Sequence, residues 1–282
     1  MLVEIENLRI AFRSRAETFE AVRGVSFSVG KEKFAIVGES GSGKSLTARS
    51  LMQLLPGNAE VSADALRFDG IDLRNASEKT LRQIRGRRVG FILQDPKYSL
   101  NPVMTIGQQI AEAWREHKGG SRKAAMQAAI ALLEQVKIRD AAAVALRYPH
   151  EVSGGKGQRM MIAMMLAPDP ELLIADEPTS ALDATVQAEI LRLIDDLVSA
   201  RGMGLILISH DLPLVSHFCD RVAVMYAGRI VEQLDARQLH QAQHPYTQGL
   251  LACLPSLRHP RARLPTLQRD AAWRHQENAT DV

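Results

Sequence analysis

The stretch FAIVGESGSGKS, residues 34–45, decides the fold of this chain. An apolar run typical of a buried strand is followed by a full match to the pattern GxxxxGK[ST] over residues 38–45. The residues from Ser45 onward, SLTARSLMQLL, have helical spacing and offer four leucines for burial: Leu46, Leu51, Leu54 and Leu55. A strand, a glycine-rich turn and a helix in this order predict a loop that binds phosphate groups rather than a chance Gly-Ser surface loop.

The composition of this phosphate loop (residues 38–45) fits that chemistry. Its glycines let the backbone turn tightly and point N–H groups inward, which forms an anion-binding nest at a helix N-terminus. Lys44 can reach the β- and γ-phosphates of a nucleotide, and the Ser45 hydroxyl can bind Mg²⁺. The predicted nucleotide-binding residues are Gly38, Glu39, Ser40, Gly41, Ser42, Gly43, Lys44 and Ser45.

A second apolar strand, ELLIADEP at residues 171–178, ends in two adjacent carboxylates. Because successive side chains of a strand point in opposite directions, we expect Asp176 and Glu177 to have different roles. Asp176 is suited to the Mg²⁺ shell, and Glu177 is suited to polarising an attacking water. An acidic pair alone is more typical of the start of a loop, but together with the phosphate loop it predicts a catalytic pair.

With further motifs in the same order, the chain resembles the nucleotide-binding subunits of ATP-binding-cassette (ABC) transporters over about residues 1–257. The matching residues are Gln94 in FILQDP (Q-loop), Ser153, Gly154 and Gly155 in VSGGKGQR (signature), Asp176 and Glu177 (Walker B), Asp183 in SALD (D-loop) and His210 in LISHD (switch histidine). Phe12 lies where the family places an aromatic ring that stacks on adenine, and Phe19 is the alternative. The order of these motifs, rather than any one of them, carries the resemblance.

The resemblance implies an ATPase that uses ATP and Mg²⁺. Two subunits would dimerise head to tail, so that the signature of one faces the γ-phosphate bound by the other. Glu177 would be the general base, His210 would bridge toward the γ-phosphate, and Ser45, Gln94 and Asp176 would bind Mg²⁺. One departure is Lys156, where the family often has glutamine or methionine, and its effect stays open.

The resemblance also implies a fold: an α/β P-loop NTPase cassette with a mostly parallel core sheet, an antiparallel N-terminal β-subdomain and a helical subdomain inserted at about residues 95–165. Periodicity along the chain agrees with it. The pattern predicts strands in residues 1–37, strand-like character over 61–94, a helix capped by Ser121, alternating helices and strands after Pro178, and a hairpin that turns near Ala227-Gly228.

Two stretches, QDPKYSLNPVMTIGQQI from Gln94 and HPYTQGLLACLPSL from His244, resemble the peptide/nickel (oligopeptide/dipeptide) importer branch. Residues 240–282 are then a C-terminal extension of that type. From Pro255 the chain is rich in arginine and proline and loses periodicity, which predicts a poorly ordered tail. Its arginines are interpreted as solvated rather than as a phosphate-binding patch: Arg258, Arg261, Arg263, Arg269 and Arg274. Some members carry an iron–sulfur cluster here, but with only Cys253 in this region we expect none.

The branch implies an ATP-hydrolysing subunit that energises import of peptides or a related small polar solute. The implied partners are a second ABC ATPase subunit, with a heterodimer favoured over a homodimer, two transmembrane permease subunits and an extracytoplasmic solute-binding protein. The expected location is the cytoplasmic face of the inner membrane, as a peripheral protein. The longest apolar stretch, residues 160–167, is too short to span a bilayer, and the N-terminus does not read as a secretory signal.

Two other functions stay open. One is a soluble cassette ATPase acting on ribosomes or DNA, and the other is a regulatory module that binds nucleotide without hydrolysis. The first usually has two cassettes or a long coiled-coil insertion, and the second predicts loss of Glu177 or His210, which are both present. The 35 basic and 32 acidic residues nearly balance, so no general affinity for nucleic acid is expected. The solute itself, whether peptide, nickel or metallophore, opine or another, is not encoded in this chain.

Overall fold

The computed structural model describes residues 1–14, 17–94, 99–180, 182–254, 266–267 and 269–274. The chain divides into two compact units, one made of Met1–Ala76 with Ile206–Val282 and the other of Ser77–Leu205. Within the described ranges, no helix has both the length and the apolar character needed to cross a membrane.

Strands and helices alternate through most of the chain. The strands are β1 (Val3–Arg13), β2 (Thr18–Val29), β3 (Lys33–Val37), β4 (Ala59–Ser62), β5 (Ala65–Phe68), β6 (Ile71–Asp72), β7 (Val89–Ile92), β8 (Leu172–Asp176), β9 (Gly204–Ser209), β10 (Arg221–Tyr226) and β11 (Arg229–Asp235). The helices are α1 (Lys44–Ser50), α2 (Glu78–Ile84), α3 (Ile106–Lys118), α4 (Arg122–Gln135), α5 (Ala141–Ala145), α6 (Gly154–Leu166), α7 (Ala184–Arg201), α8 (Leu212–Phe218) and α9 (Pro245–Ala252). The boundary between the two units falls inside β9.

The first unit contains an antiparallel sheet of order β2-β1-β5-β6, with β4 also paired to β1. β1 buries Val3, Ile5, Leu8 and Ile10. Its alternation shifts once, between Ile5 and Leu8, where the register with β2 is irregular. This sheet confirms the predicted antiparallel β-subdomain and places the start of the chain beside β5.

The core strands of the first unit follow the order β11-β10-β3-β9, with β10 parallel to β3 and antiparallel to β11. The side chains of residues 34–37 in β3 are fully buried, as the apolar run predicted. The hairpin between β10 and β11 turns at Ala227 and Gly228, which both have positive φ (47° and 84°). This is the turn geometry that suits a two-residue hairpin, so the predicted hairpin is confirmed.

In the second unit, β7 runs parallel to β8 with Ile92 opposite Ala175. The helices α3 to α6 pack on one another within residues 106–166, the region expected to be helical. α4 begins as predicted, because the Ser121 hydroxyl accepts a hydrogen bond from the Ala124 N–H at 3.2 Å. Its buried face consists mainly of alanine and leucine: Ala125, Ala129, Leu132 and Leu133.

Two local expectations were wrong. The segment 61–94 contains a helix, α2, because the Ser77 hydroxyl caps it by accepting the Thr80 N–H. The helix after the phosphate loop ends at Ser50 rather than continuing to residue 55, since Gln53 adopts a positive φ of 49°. Leu54 is therefore 52% exposed instead of buried.

Several predicted segments lie outside the described residues. They are residues 95–98 of the importer-type motif, Ala181 of SALD, and residues 255–265, 268 and 275–282 of the tail. The tail segment that is described differs from the expectation, because residues 271–274 form a short 3₁₀ turn and Trp273 is only 8% exposed.

Candidate functional site

The phosphate loop follows β3 and lies against β10 and β2. Gly38 has a φ of 146°, and a Cβ added to it would sit 2.1 Å from the Met225 carbonyl oxygen. Gly43 has a φ of 102°, and its Cβ would sit 3.0 Å from the Ala21 carbonyl oxygen. Only glycine can adopt these positive φ angles and also let the loop backbone approach the strand carbonyls this closely. The two glycines therefore determine the path of the loop.

Lys44 places its charge inside the curve of the loop. The side chain is buried, and Nζ donates hydrogen bonds to the carbonyl oxygens of Gly38 and Glu39, both at 2.8 Å. A buried ammonium group needs such acceptors. The contacts hold the positive charge where the loop backbone converges, while the half-buried Ser45 follows in the first turn of α1.

The Ser42 hydroxyl indicates that the loop fits a phosphate group. Ser42 is 4% exposed, and its Oγ has no hydrogen-bond partner among the described residues. An unpaired buried hydroxyl costs about 1–3 kcal/mol, and a phosphate oxygen in the loop would satisfy it. The anchored lysine, the glycine geometry and this orphaned hydroxyl together fit the phosphates of a nucleotide.

A groove of about 310 Å³ opens beside the loop. Its lining comprises Phe19, Glu20, Ala21, Arg23, Glu39, Ser40, Gly41, Ser42, Tyr226, Ala227 and Arg269. The Phe19 ring is 61% exposed, and Phe12, its partner across β1 and β2, is half-buried. Of the two aromatics considered for the adenine ring, Phe19 lines the groove, whereas Phe12 is not among the described lining residues.

The C-terminal extension also reaches the phosphate loop. The Tyr246 hydroxyl accepts a hydrogen bond from the Glu39 N–H at 3.1 Å, and Arg269 Nη2 lies 2.7 Å from Glu39 Oε1. Tyr246 is fully buried in an aromatic cluster with Tyr226 (ring centroids 4.5 Å apart) and Trp273 (6.1 Å). Burial raises the pKa of Tyr246 to about 12, so its hydroxyl stays neutral at physiological pH.

Sequence reasoning assigned no role to these groups. In the sequence, His-Pro-Tyr-Thr indicates only the importer branch, and the composition of the tail predicts a solvated Arg269. Arg269 keeps a 57% exposed side chain but forms an ion pair with Glu39. The aromatic residues of the extension were the one available signal, since a tyrosine in a polar segment is typically held by packing.

His210 follows β9, the strand next to β3, and its side chain is exposed. The backbone around it is fixed by its neighbours. The Asp211 N–H donates to Ser209 Oγ at 3.0 Å, and Asp211 Oδ1 accepts the Leu214 N–H at 2.9 Å as the cap of α8. The predicted switch histidine therefore sits on a tightly hydrogen-bonded turn at the end of a core strand.

In the second unit, the acidic pair lies at the end of β8, whose residues are all buried. Asp176 is 4% exposed, whereas Glu177 is half-buried and adopts a φ of 46°, outside the strand conformation. The two carboxylates thus leave the strand differently, in line with separate roles. Because Ile92 pairs with Ala175 in parallel strands, Gln94 leaves the same edge of the sheet as the acidic pair.

The signature and the D-loop are neighbours in the same unit. Ser153 is the exposed N-cap of α6, and its side chain makes no capping hydrogen bond. A Cβ added to Gly155 would lie 2.8 Å from Val186 Cγ1, in the first turn of α7. That turn is capped by Asp183, whose Oδ1 accepts the Val186 N–H at 3.0 Å. The start of α6 is thus packed on one side and open on the other.

The predicted site residues are distributed over both units. The phosphate loop with its groove, and His210 at the end of β9, belong to the first unit. Gln94, the acidic pair, the signature and Asp183 belong to the second unit.

Comparisons with known proteins agree on one family. A family model described as ABC transporter matches residues 22–180. The chain is 47% identical to a protein of Brucella abortus (strain 2308) that is provisionally named a peptide import ATP-binding protein, over 94% of this chain and 81% of the relative. It is 46% identical to the dipeptide transport ATP-binding protein DppD of Escherichia coli (strain K12), over 94% of this chain and 82% of DppD.

A solved structure is similar in fold as well. The dimeric post-hydrolysis structure of the ATP-binding cassette MJ0796, bound to ADP and Pi, aligns with a TM-score of 0.73 at 25% identity. The alignment covers 84% of this chain and 99% of that one.

Proposed function

This chain belongs to the ABC transporter family as one of its ATPase subunits, and we propose that it energises the import of peptides or related small polar solutes across the inner membrane. The observation that carries the proposal is the phosphate loop, where a buried lysine is anchored on two loop carbonyls beside an unpaired buried hydroxyl. The resemblance to peptide and dipeptide transport ATP-binding proteins supports the cargo class.

ATP would be held by its phosphates in this loop. Lys44 would supply positive charge to the β- and γ-phosphates, and Ser42 would donate its unpaired hydroxyl. Backbone N–H groups at the start of α1 favour an anion at the same place. Phe19, in the wall of the groove, and Phe12, its partner on the neighbouring strand, are the candidates for stacking on adenine.

Hydrolysis would depend mainly on positioning and on stabilising charge at the transferring phosphoryl oxygens. Glu177 would accept a proton from the attacking water, and His210 would orient the γ-phosphate. The resemblance to the family assigns Mg²⁺ binding to Ser45, Gln94 and Asp176, and hydroxyl, amide and carboxylate oxygens are the donors that this ion takes alongside phosphate. When bound, the ion would neutralise charge on the phosphates.

The exposed signature supports a dimer in which each chain serves the nucleotide of its partner. Ser153 and Gly154 are open at the start of α6, and the Ser153 side chain is not used in capping. We propose a second ABC ATPase subunit as the partner, with a heterodimer favoured. Two permease subunits and an extracytoplasmic solute-binding protein would complete the importer, with this chain peripheral on the cytoplasmic face.

The test is ATP hydrolysis by the complex reconstituted in proteoliposomes with its permease and solute-binding protein. We expect peptide to stimulate hydrolysis and to enter the vesicles, and we expect Lys44→Ala to abolish both. Hydrolysis at the same rate with and without the permease would refute the transport function. Tight ATP binding without turnover by the assembled complex would favour a regulatory module instead.

A further inference from the structure

The C-terminal extension contacts one residue of the phosphate loop twice, at its backbone and at its side chain. Glu39 donates its N–H to the Tyr246 hydroxyl at 3.1 Å. Its carboxylate receives two hydrogen bonds from Arg269, at 2.7 Å from Nη2 and 3.4 Å from Nε. Tyr246 lies 207 residues after Glu39 in the chain, and Arg269 lies 230 residues after it. Both contact Glu39, the second residue of the loop.

The charge at Glu39 makes the ion pair relevant to nucleotide binding. Glu39, Ser40, Gly41 and Ser42 line the groove together with Arg269, so the carboxylate stands in the wall of the space next to the loop. An unpaired carboxylate there would repel a triphosphate. The Arg269 guanidinium compensates that charge. Its hydrogen bonds to Glu39 raise the pKa of Arg269 above the ordinary value for arginine.

The backbone contact restricts the conformation of the same residue. Tyr246 is fully buried, and its ring is fixed by Tyr226 and by the edge of Trp273. The Tyr246 hydroxyl is therefore an acceptor in a fixed position. The Glu39 N–H keeps this hydrogen bond only while the loop stays in its present conformation. A loop held in its binding conformation before the ligand arrives loses less entropy on binding.

We propose that Tyr246 and Arg269 are positioning residues for the nucleotide, so that the C-terminal extension sets part of the affinity of the phosphate loop for ATP. Arg269 acts by neutralising Glu39, and Tyr246 acts by fixing the Glu39 backbone. The inference rests on the proposed function, since it concerns the affinity of that same loop.

The charge half of the proposal is tested by a double-mutant cycle on the full chain, with the Kd for ATP as readout. Arg269→Gln raises the Kd about threefold, the size expected for an exposed ion pair. Arg269→Gln causes no such rise in a Glu39→Gln background, and the rise becomes smaller as salt is added. Arg269→Lys, which keeps the positive charge, has a Kd close to that of wild type.

Arg67→Gln is the matched control, because Arg67 forms an ion pair of similar exposure with Glu4, at 2.8 Å, and does not line the groove. It leaves the Kd unchanged. An equal rise for Arg67→Gln, or a rise for Arg269→Gln that persists without the Glu39 carboxylate, overturns the mechanism. Direct contact between Arg269 and the nucleotide would give the second result.

The backbone half is tested with Tyr246→Phe, which keeps the packed ring and removes the acceptor of the Glu39 N–H. We expect the Kd for ATP to rise about fivefold while Glu39→Gln leaves that rise intact, because the two contacts are independent. A Kd equal to that of wild type overturns this half. Lys44→Ala separates the failure of this inference from the failure of the proposed function: if it raises the Kd for ATP while both extension variants bind ATP as wild type does, only the inference about the extension fails.

Discussion

Replacing Gly38 by alanine is the most severe single-methyl change that the phosphate loop offers. The new Cβ would lie 2.1 Å from the carbonyl oxygen of Met225 and 3.1 Å from its carbonyl carbon. Both atoms belong to the backbone of β10, which is hydrogen-bonded to β3 and β11, so they cannot move aside as a flexible side chain would. Gly41 provides the control, because its φ is also positive, at 80°, but its Cβ would meet nothing within 4 Å.

The expected losses follow from these distances. A non-glycine residue in such a backbone conformation costs about 1–3 kcal/mol, and forcing a methyl group into packed surroundings costs about 1–3 kcal/mol more. Gly38→Ala should therefore lose about 2–6 kcal/mol of folding free energy. Gly41→Ala carries only the conformational cost of about 1–2 kcal/mol.

The assay is thermal unfolding of both variants and of the wild-type chain, followed by a titration with ATP. At roughly 2 °C of Tm for each kcal/mol in a chain of this size, Gly38→Ala should lower the Tm by about 4–12 °C and Gly41→Ala by about 2–4 °C. Gly38→Ala should also weaken ATP binding more than Gly41→Ala does. Equal Tm losses for the two variants would refute the packing of Gly38 against β10.

Further predictions concern the loop lysine, the signature and the buried tyrosine. Lys44→Ala should raise the Kd for ATP by about 10- to 100-fold, the value of a charge-assisted hydrogen bond, and an unchanged Kd would contradict the phosphate-loop assignment. Gly155→Ala, whose Cβ would lie 2.8 Å from Val186 Cγ1, should lower ATP turnover by the complex about tenfold and leave the isolated chain's affinity for ATP unchanged; a loss of that affinity would argue against a signature that serves the partner. The pKa of Tyr246 is raised by burial from 10.0 to about 12, so its neutral form contributes stability that is complete below pH 10 and is lost as the pH rises toward 12. Urea midpoints should fall more steeply over that range for wild type than for Tyr246→Phe, and parallel curves would contradict the burial.

The features that could be predicted from the sequence are those written in adjacent residues. The strand, glycine turn and lysine of residues 34–45 specify a phosphate loop, because the glycines at 38, 41 and 43 permit the positive φ angles that the turn needs. The strand that ends at Asp176 was predictable for the same reason, since an apolar run followed by acids has one common structural meaning. The Ala227-Gly228 turn needed only two residues to specify its positive φ angles.

The features that could not be predicted depend on contacts between distant residues or on small backbone choices. Glu39 meets Tyr246 and Arg269 across more than 200 positions, and no spacing rule connects them. The early end of α1 depends on Gln53 adopting a positive φ, which glutamine seldom does. Glu177 likewise departs from the strand through its own φ of 46°, a conformation that alternation along a strand does not anticipate.

The most direct test of the catalytic assignment compares ATP binding with ATP turnover in Glu177→Gln. The substitution keeps the size of the side chain and removes the carboxylate that is proposed to accept a proton from water. We expect the assembled complex to bind ATP as wild type does while turnover falls about 100-fold or more. Turnover at the wild-type rate would show that this residue does not activate the water.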